Sequence, residues 1–265
     1  MNIDLTGKNA FVSGGSQGIG RAVAEELARL GANITIAART ETALIDAVVG
    51  LNMSSSPFQQ HDYVVADYSE PEKLKSALNR HSKKHNKQYQ ILVNNAGGPP
   101  QGLASEATEE AFLAAFNTHL ICNHILVAHL LDGMKQSNYG RIINIISTSV
   151  KQPLPNLGVS NTIRGAVASW AKTLANELGQ FGITVNNVLP GATETQRLKA
   201  IIDLKSQKTK TAATDVAGHM MAEIPMKRFA KPEEVANAVA FLASPAASYI
   251  NGINLPVDGG RTSSL

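Results

Sequence analysis

The sequence predicts an α/β fold: one doubly wound domain whose parallel sheet is covered by helices on both faces. Three observations predict it. Apolar segments of strand length alternate with helical patterns from one end of the 265 residues to the other. The strand segments are apolar on both faces, as in a sheet buried on two sides. No internal repeat and no long linker divides the chain.

Taken in order, "NAFVSG" is the first strand. A helix opens near Gly18, with Val23, Leu27 and Leu30 at helical spacing and Gly31 placed to end it. "ITIAAR" and "YVVAD" are the second and third strands, the latter after a polar stretch containing "SSSP". "QILVNNAG", "GRIINIIS", "GITVNNVLPG" and "GINLPVDGG" are the fourth to seventh. Helices are expected at 108–116, 119–134, 163–178 and 232–242, among others. Such a series gives a Rossmann-like domain over residues 1–265, with a seven-stranded parallel sheet flanked by helices. Residues 193–228 fit least well, being Lys/Thr-rich with a weak helical period. After a strand, a segment of this kind reads as a mobile substrate lid within the domain.

Composition narrows the function classes. Hydrophobic residues make up 43 % and charged residues 17 %, with a formal net charge of +3. The Lys/Arg residues are spread along the chain, and the runs at 83–87 and 205–210 read as solvated faces, so no nucleic acid partner is expected. Cys122 is the single cysteine, which excludes an internal disulfide and fits a reducing compartment. No uninterrupted apolar run reaches the roughly 20 residues that span a bilayer. "MNIDLTGKNAFVSGG" enters a strand almost at once and leaves no room for a signal peptide. A cytoplasmic protein without a membrane partner is the expectation. The seven histidines show no ligand spacing with cysteine or carboxylate. His81 and His85, four apart in a Lys-rich stretch, read as solvated, and no metal is expected.

"SGGSQGIGRAV" carries the first chemistry. Gly14, Gly18 and Gly20 stand between the first strand and the first helix, with Ser16, Gln17 and Ile19 filling the turn. Glycines there let backbone N–H groups approach a pyrophosphate, whose charge the helix N-terminus favours. At the end of the second strand, an acidic residue would accept from the adenosine ribose and a basic one would pair with a 2′-phosphate. Arg39 of "IAART" stands there with no carboxylate beside it. NADP(H) is therefore expected over NAD(H).

Three further pieces follow in order: "LVNNAGG", "NNVLPGATET" and the stretch from Arg228 to Gly260. With the Gly14 loop they resemble the short-chain dehydrogenase/reductase family, and look most like its 3-oxoacyl-carrier-protein-reductase-like branch. The resemblance covers essentially the whole chain. It implies that Asp67 and Tyr68 meet the adenine, and that Asn95, Ala96 and Gly97 line the ribose and the floor of the site. Pro190, Gly191 and Thr193 would hold the nicotinamide and its carboxamide. It also implies a homotetramer, with helices near 108–134 and 163–178 across one two-fold axis and the last strand across another.

The resemblance breaks at the proton relay. The family uses a tyrosine, a lysine four residues later, a serine thirteen residues before the tyrosine, and an asparagine on the preceding helix. Ser147 matches the serine. Ser160 stands for the tyrosine, Arg164 for the lysine and His119 for the asparagine. A serine hydroxyl is a far weaker acid than a phenol, and Arg164 stays protonated. Arg164 can still donate to a nicotinamide ribose. Plainer readings stand beside this one: Ser160 as a helix N-cap, and His119 as a buried or interface histidine or a replacement acid. Residues 163, 167, 170 and 174 are expected to form a core stripe opposite Ser160 and Arg164. Two functions follow: an NADP(H)-dependent oxidoreductase of a carbonyl/alcohol pair with an altered relay, or a catalytically silent dinucleotide-binding sensor or scaffold.

Overall fold

The computed structural model describes residues 1–264. Along the chain run β1 (Asn9–Ser13), α1 (Gly18–Arg29), β2 (Asn33–Ala38), α2 (Glu41–Ser54), β3 (Asp62–Val65) and α3 (Pro71–His85). Then come β4 (Ile91–Asn94), α4 (Glu109–Phe116), α5 (Cys122–Gln136), β5 (Gly140–Ile145), α6 (Gly158–Leu178) and β6 (Ile183–Pro190). Last are α7 (Gln196–Thr209), α8 (Ala213–Ala222), α9 (Pro232–Ala243) and β7 (Asn254–Val257). All seven strands pair in parallel in the order β3-β2-β1-β4-β5-β6-β7. The order reverses between β1 and β4, and such a switch point opens a crevice beyond the strands' carboxyl ends.

Period-two alternation splits the core in two. Val12, Ile36, Val93, Ile143 and Val188 face one way, packed with α1, α2 and α9. Phe11, Leu92, Ile142 and Val185 face the other, packed with α3, α5 and α6. On this second face the carboxyl ends turn polar. Asn94 donates to Asn144 (2.8 Å), Asn144 to Asn187 (2.9 Å) and Asn187 to Asn254 (2.8 Å). These four asparagines are direct register partners across β4, β5, β6 and β7.

Two sequence expectations change. Residues 193–228 hold two full helices: the Thr195 hydroxyl caps α7 by accepting from the Leu198 N–H, and Lys210, at φ +53°, ends it. Leu198, Ile224 and Phe229 give the segment a small core separate from the sheet's. The stretch Glu109–Gln136 forms one continuous helical run, long and apolar enough to cross a membrane by composition. Its scattered polar residues hide that in a count of uninterrupted apolar positions. Leu126, Leu130 and Met134 of this run are buried in the sheet's core, whereas Leu113 is exposed.

Replacing Asn144 with alanine strands an amide on each side, each costing about 1–3 kcal/mol when buried and unpaired. Urea unfolding of Asn144→Ala should show a loss of about 2–5 kcal/mol, whereas an unchanged midpoint would remove the ladder as a stabilising element.

Candidate functional site

The crevice begins at the turn after β1. Gly14 and Gly18 hold φ of +61° and +56°, the left-handed region that favours glycine. A Cβ on Gly14 would sit 2.7 Å from the Asn95 carbonyl oxygen, and one on Gly20 would collide with the Gly14 carbonyl. The Ser13 hydroxyl accepts from the Asn95 N–H at 2.8 Å, tying the end of β1 to that of β4. Ser16 and Gln17 stand at the open side of the turn, while Ile19 packs down against the core. Nothing lies within 4 Å of a Cβ built on Gly97, which is exposed to the crevice. A helix N-terminus, a glycine cradle and an open floor fit the pyrophosphate and ribose of a dinucleotide.

Arg39 follows β2 directly and is exposed, with no salt bridge among the described residues. Asp67 is half-buried. Burial pushes its carboxyl up, but two hydrogen bonds from Ser69 and the charge of Arg39 win and hold it below the usual range. Tyr68 departs from expectation. Val64, Ala66 and Tyr68 continue the inward alternation of β3, so its ring is 8 % exposed in the core and only Asp67 turns outward.

At the far side, the Gly191 N–H donates to Val257 at 2.9 Å, fixing the chain after Pro190. Thr193 is buried and its hydroxyl donates to the Gly191 carbonyl (3.1 Å). Thr195, which the sequence reading passed over, reaches across instead: its Cγ2 lies 3.3 Å from a Cβ built on Gly18. The signal was there, since a threonine three residues before Leu198 is a helix cap at the mouth of the site.

Ser147 follows the carboxyl end of β5 and Arg164 is bonded to it, with Ser160 one turn before Arg164 on α6. Ser147 Oγ accepts from the Ser149 N–H at 3.1 Å, which leaves its own proton free to donate. Ser160 is the third residue of α6, not its N-cap, a place Leu157 holds, and is 9 % exposed. Arg164 is 7 % exposed; its Nη1 donates to the Ile145 carbonyl (3.1 Å) and its buried Nε has no partner. Burial first, then the charge of Arg197, pushes it down to about 10, so it stays charged at neutral pH. Ser160 and Arg164 lie on the same stripe as Val167, Ala171, Ala175 and Leu178, not opposite the core; Trp170 and Leu174 are only half-buried.

His119 enters through a local distortion. Residues Asn117–Ile121 form a π-helical turn between α4 and α5, and the widened turn buries His119 at 3 % exposure. Burial, then the charges of Arg164 and Arg197, pushes its imidazole down to about 3. It is therefore neutral at pH 7, which removes the imidazolium that a replacement acid would need. Arg197, at the start of α7, was also missed. Its Nη1 donates to Gly98 (3.1 Å) and its Nη2 to Pro99 (3.4 Å).

The histidine pair is not solvated as expected. α3 lays Leu74, Ala77, Leu78 and His81 on the sheet, and His81 Nε2 meets the Tyr89 hydroxyl at 2.9 Å. His85 Nε2 and His81 Nδ1 lie 3.2 and 3.8 Å from Asp62 Oδ2, a donor set of metal-ligand type. Asp62 opens β3, so this group stands at the sheet's amino-terminal side, away from the crevice.

The family described as Enoyl-(Acyl carrier protein) reductase matches residues 14–262. The chain is 35 % identical to the 3-oxoacyl-[acyl-carrier-protein] reductase FabG of Vibrio cholerae, over 97 % of this chain and 98 % of that one. Among solved structures it resembles L-sorbose reductase from Gluconobacter frateurii, complexed with NADPH and L-sorbose. That match has TM-score 0.93 and 30 % identity and covers 100 % of both chains. It also resembles a putative gluconate dehydrogenase from Agrobacterium tumefaciens, with TM-score 0.89 and 28 % identity over 100 % of both.

His119 carries a checkable consequence. Unfolded, it binds a proton near its ordinary 6.5; folded, only near 3. The unfolded chain therefore holds more protons between these values, and stability falls as pH drops through them. The His119→Asn variant should lose less urea stability than the parent between pH 6.5 and 3.5. His81, pushed down to about 4 by its own burial, contributes equally to both and cancels. Parallel pH profiles would show that His119 is not held neutral.

Proposed function

The chain belongs to the short-chain dehydrogenase/reductase family, and from that premise we propose that it is an NADP(H)-dependent oxidoreductase interconverting a carbonyl and an alcohol through a rebuilt proton relay. The observation that carries this is that Arg164, one helical turn after Ser160, bonds to Ile145, two residues before Ser147, at the same end of the sheet as the open glycine cradle. Gly14, Ser16, Gln17, Gly18, Ile19 and Gly20 would hold the pyrophosphate. Arg39 would pair with the 2′-phosphate, and its exposed, unpaired guanidinium supports NADP(H) over NAD(H). Asp67 would meet the adenine, with Asn95, Ala96 and Gly97 along the ribose. Pro190, Gly191, Thr193 and Thr195 would bound the nicotinamide.

Bound there, the nicotinamide supplies or takes up a hydride. The chain's part is to fix the substrate oxygen and manage its charge. The hydroxyls of Ser147 and Ser160 donate to that oxygen, and the buried charge of Arg164 favours it as alkoxide character develops. Arg164 would also donate to the nicotinamide ribose through a guanidinium N–H that Ile145 does not use. His119, held neutral, positions rather than protonates. Loss of a phenolic acid costs about 10²–10⁴-fold, which slows the reaction without abolishing it. The oxidoreductase relatives leave the silent-binder alternative without support.

Residues 193–228 serve as the lid, hinged where Thr193 pairs with Ala230. The protein assembles as a homotetramer, in which the exposed Leu113 and Phe116 and the half-buried Trp170 supply apolar surface on α4 and α6. That assembly accounts for the apolar run 109–136 without a membrane. A single buried cysteine supports a cytoplasmic place.

Fluorescence titration should show NADPH bound more tightly than NADH, and Arg39→Asp should reverse that order. Equal affinities unchanged by the mutation would defeat the assignment. In a stopped assay of NADPH oxidation over a carbonyl panel, Ser160→Tyr with Arg164→Lys should raise turnover by about tenfold or more, within the range of general acid help. A double variant that binds NADPH normally and gains nothing on any substrate would rule out a rebuilt reductase relay.

A further inference from the structure

Two cations meet beside the crevice without an anion. Among the described residues neither Arg164 nor Arg197 forms a salt bridge. Arg164 comes from the buried stripe of α6 and Arg197 from the first turn of α7, so distant parts of the chain bring them together. Both reach the same spot. A Cβ built on Gly98 would lie 2.8 Å from Arg197 Nη2 and 3.6 Å from Arg164 Nη2, so the two guanidinium ends close on Gly98, whose missing side chain lets them come together. Neighbouring like charges, one of them buried, are costly unless a counter-charge joins them. Each guanidinium is anchored by one edge, Arg164 on Ile145 and Arg197 on Gly98 and Pro99, and keeps donors to spare.

We propose that Arg164 and Arg197 seat a carboxylate of the substrate, so that the enzyme acts on oxo acids and the matching hydroxy acids. This rests on the oxidoreductase reading and names its substrate class. Two Nη2 groups brought together beside Gly98 can each donate to one oxygen of a carboxylate seated against them. The dinucleotide pyrophosphate does not serve as this anion. Its cradle lies at β1, whereas Arg164 is held at the end of β5, two strands away in the sheet. At about 4.8 Å per strand that is roughly 10 Å. The carboxylate is a handle and passes through unchanged. In reduction, the hydride adds to the carbonyl carbon, the π pair moves to oxygen, and that oxygen takes a proton from solvent. Because Arg197 belongs to α7, an anion bound to it also draws residues 193–228 toward Arg164. Substrate charge thus becomes the signal for closing the site.

The test separates this inference from the reading beneath it. Malonate, succinate and glutarate are titrated by calorimetry into the full chain saturated with NADP⁺. NADPH oxidation is then followed with 2-, 3- and 4-oxo carboxylates, their methyl esters, and a phosphorylated ketone. At least one dicarboxylate should bind, and Arg197→Met should weaken it about tenfold or more, the scale of a charge-assisted hydrogen bond. The affinity for NADPH should stay unchanged in that variant, which also shows that it folds. Gly98→Ala, whose methyl would push Arg197 Nη2 away from Arg164, should weaken the same dicarboxylate. Oxo acids should exceed their esters in kcat/KM by about tenfold or more, and Arg197→Met should erase the margin. Esters reduced as fast as acids, a phosphorylated ketone preferred to them, or dicarboxylate binding that is absent or indifferent to Arg197→Met would overturn the carboxylate seat. With NADPH still bound and neutral ketones reduced, the oxidoreductase reading would survive that result. A chain that bound no NADPH would overturn both.

Discussion

The asparagine ladder across β4, β5, β6 and β7 is the constraint from which the site follows. Parallel strands of similar apolar character can slide, because one valine fits where another did. An amide cannot slide without breaking two hydrogen bonds on a face where water does not replace them. Asn94, Asn144 and Asn187 therefore hold their strand ends level, at the last residue of β4 and the last but one of β5. Asn95 then meets the Gly14 turn, Ile145 offers its carbonyl to Arg164, and Pro190 turns toward the crevice. The ladder stops at Asn94, whose Oδ1 is buried without a partner, at the edge where β1 and its glycine turn begin.

What could be read from the sequence was what depends on neighbours in the chain. Seven apolar segments, the glycine turn and Arg39 at the end of "ITIAAR" are local patterns, and each lies where it was expected. What could not be read depends on partners far away. Asn94, Asn144 and Asn187 look like ordinary strand-end residues until register makes them neighbours. Tyr68 looks like a surface neighbour of Asp67 until the alternation of β3 turns it inward. His81 looks solvated beside its lysines until α3 is laid on the sheet. Arg197 sits in a polar stretch of weak period, and only the folding of α7 against Gly98 brings it to the site.

The relay shows the same division. Counting thirteen residues from Ser147 and four more, on the family resemblance, assigned Ser160 and Arg164, and α6 sets these two one turn apart on its buried stripe. Their surroundings were not countable. A single π-helical turn decides that His119 is buried, and that burial first, then two guanidinium groups, holds it uncharged. An imidazole in that field donates or accepts a hydrogen bond but does not deliver a proton at neutral pH.

A phenol and an ammonium work as a relay because the neighbouring positive charge lowers the phenol's pKa toward the working range. A hydroxyl and a guanidinium do not, so this site trades proton delivery for fixed positive charge. Fixed charge lowers the barrier where negative charge develops and needs no reorganisation when it does so. Such a field is not selective in what it stabilises: it draws in any anion small enough to enter and holds it whether or not a reaction follows. The geometry sorts the two roles by depth. Arg164, buried and anchored on β5, is fixed before the substrate arrives. Arg197, carried by a helix with its own small core, rests one guanidinium edge on Gly98 and Pro99. In the proposed reaction the deeper charge acts on the reacting oxygen as well as on the carboxylate, the outer one on the carboxylate alone, and neither role calls for a proton to move.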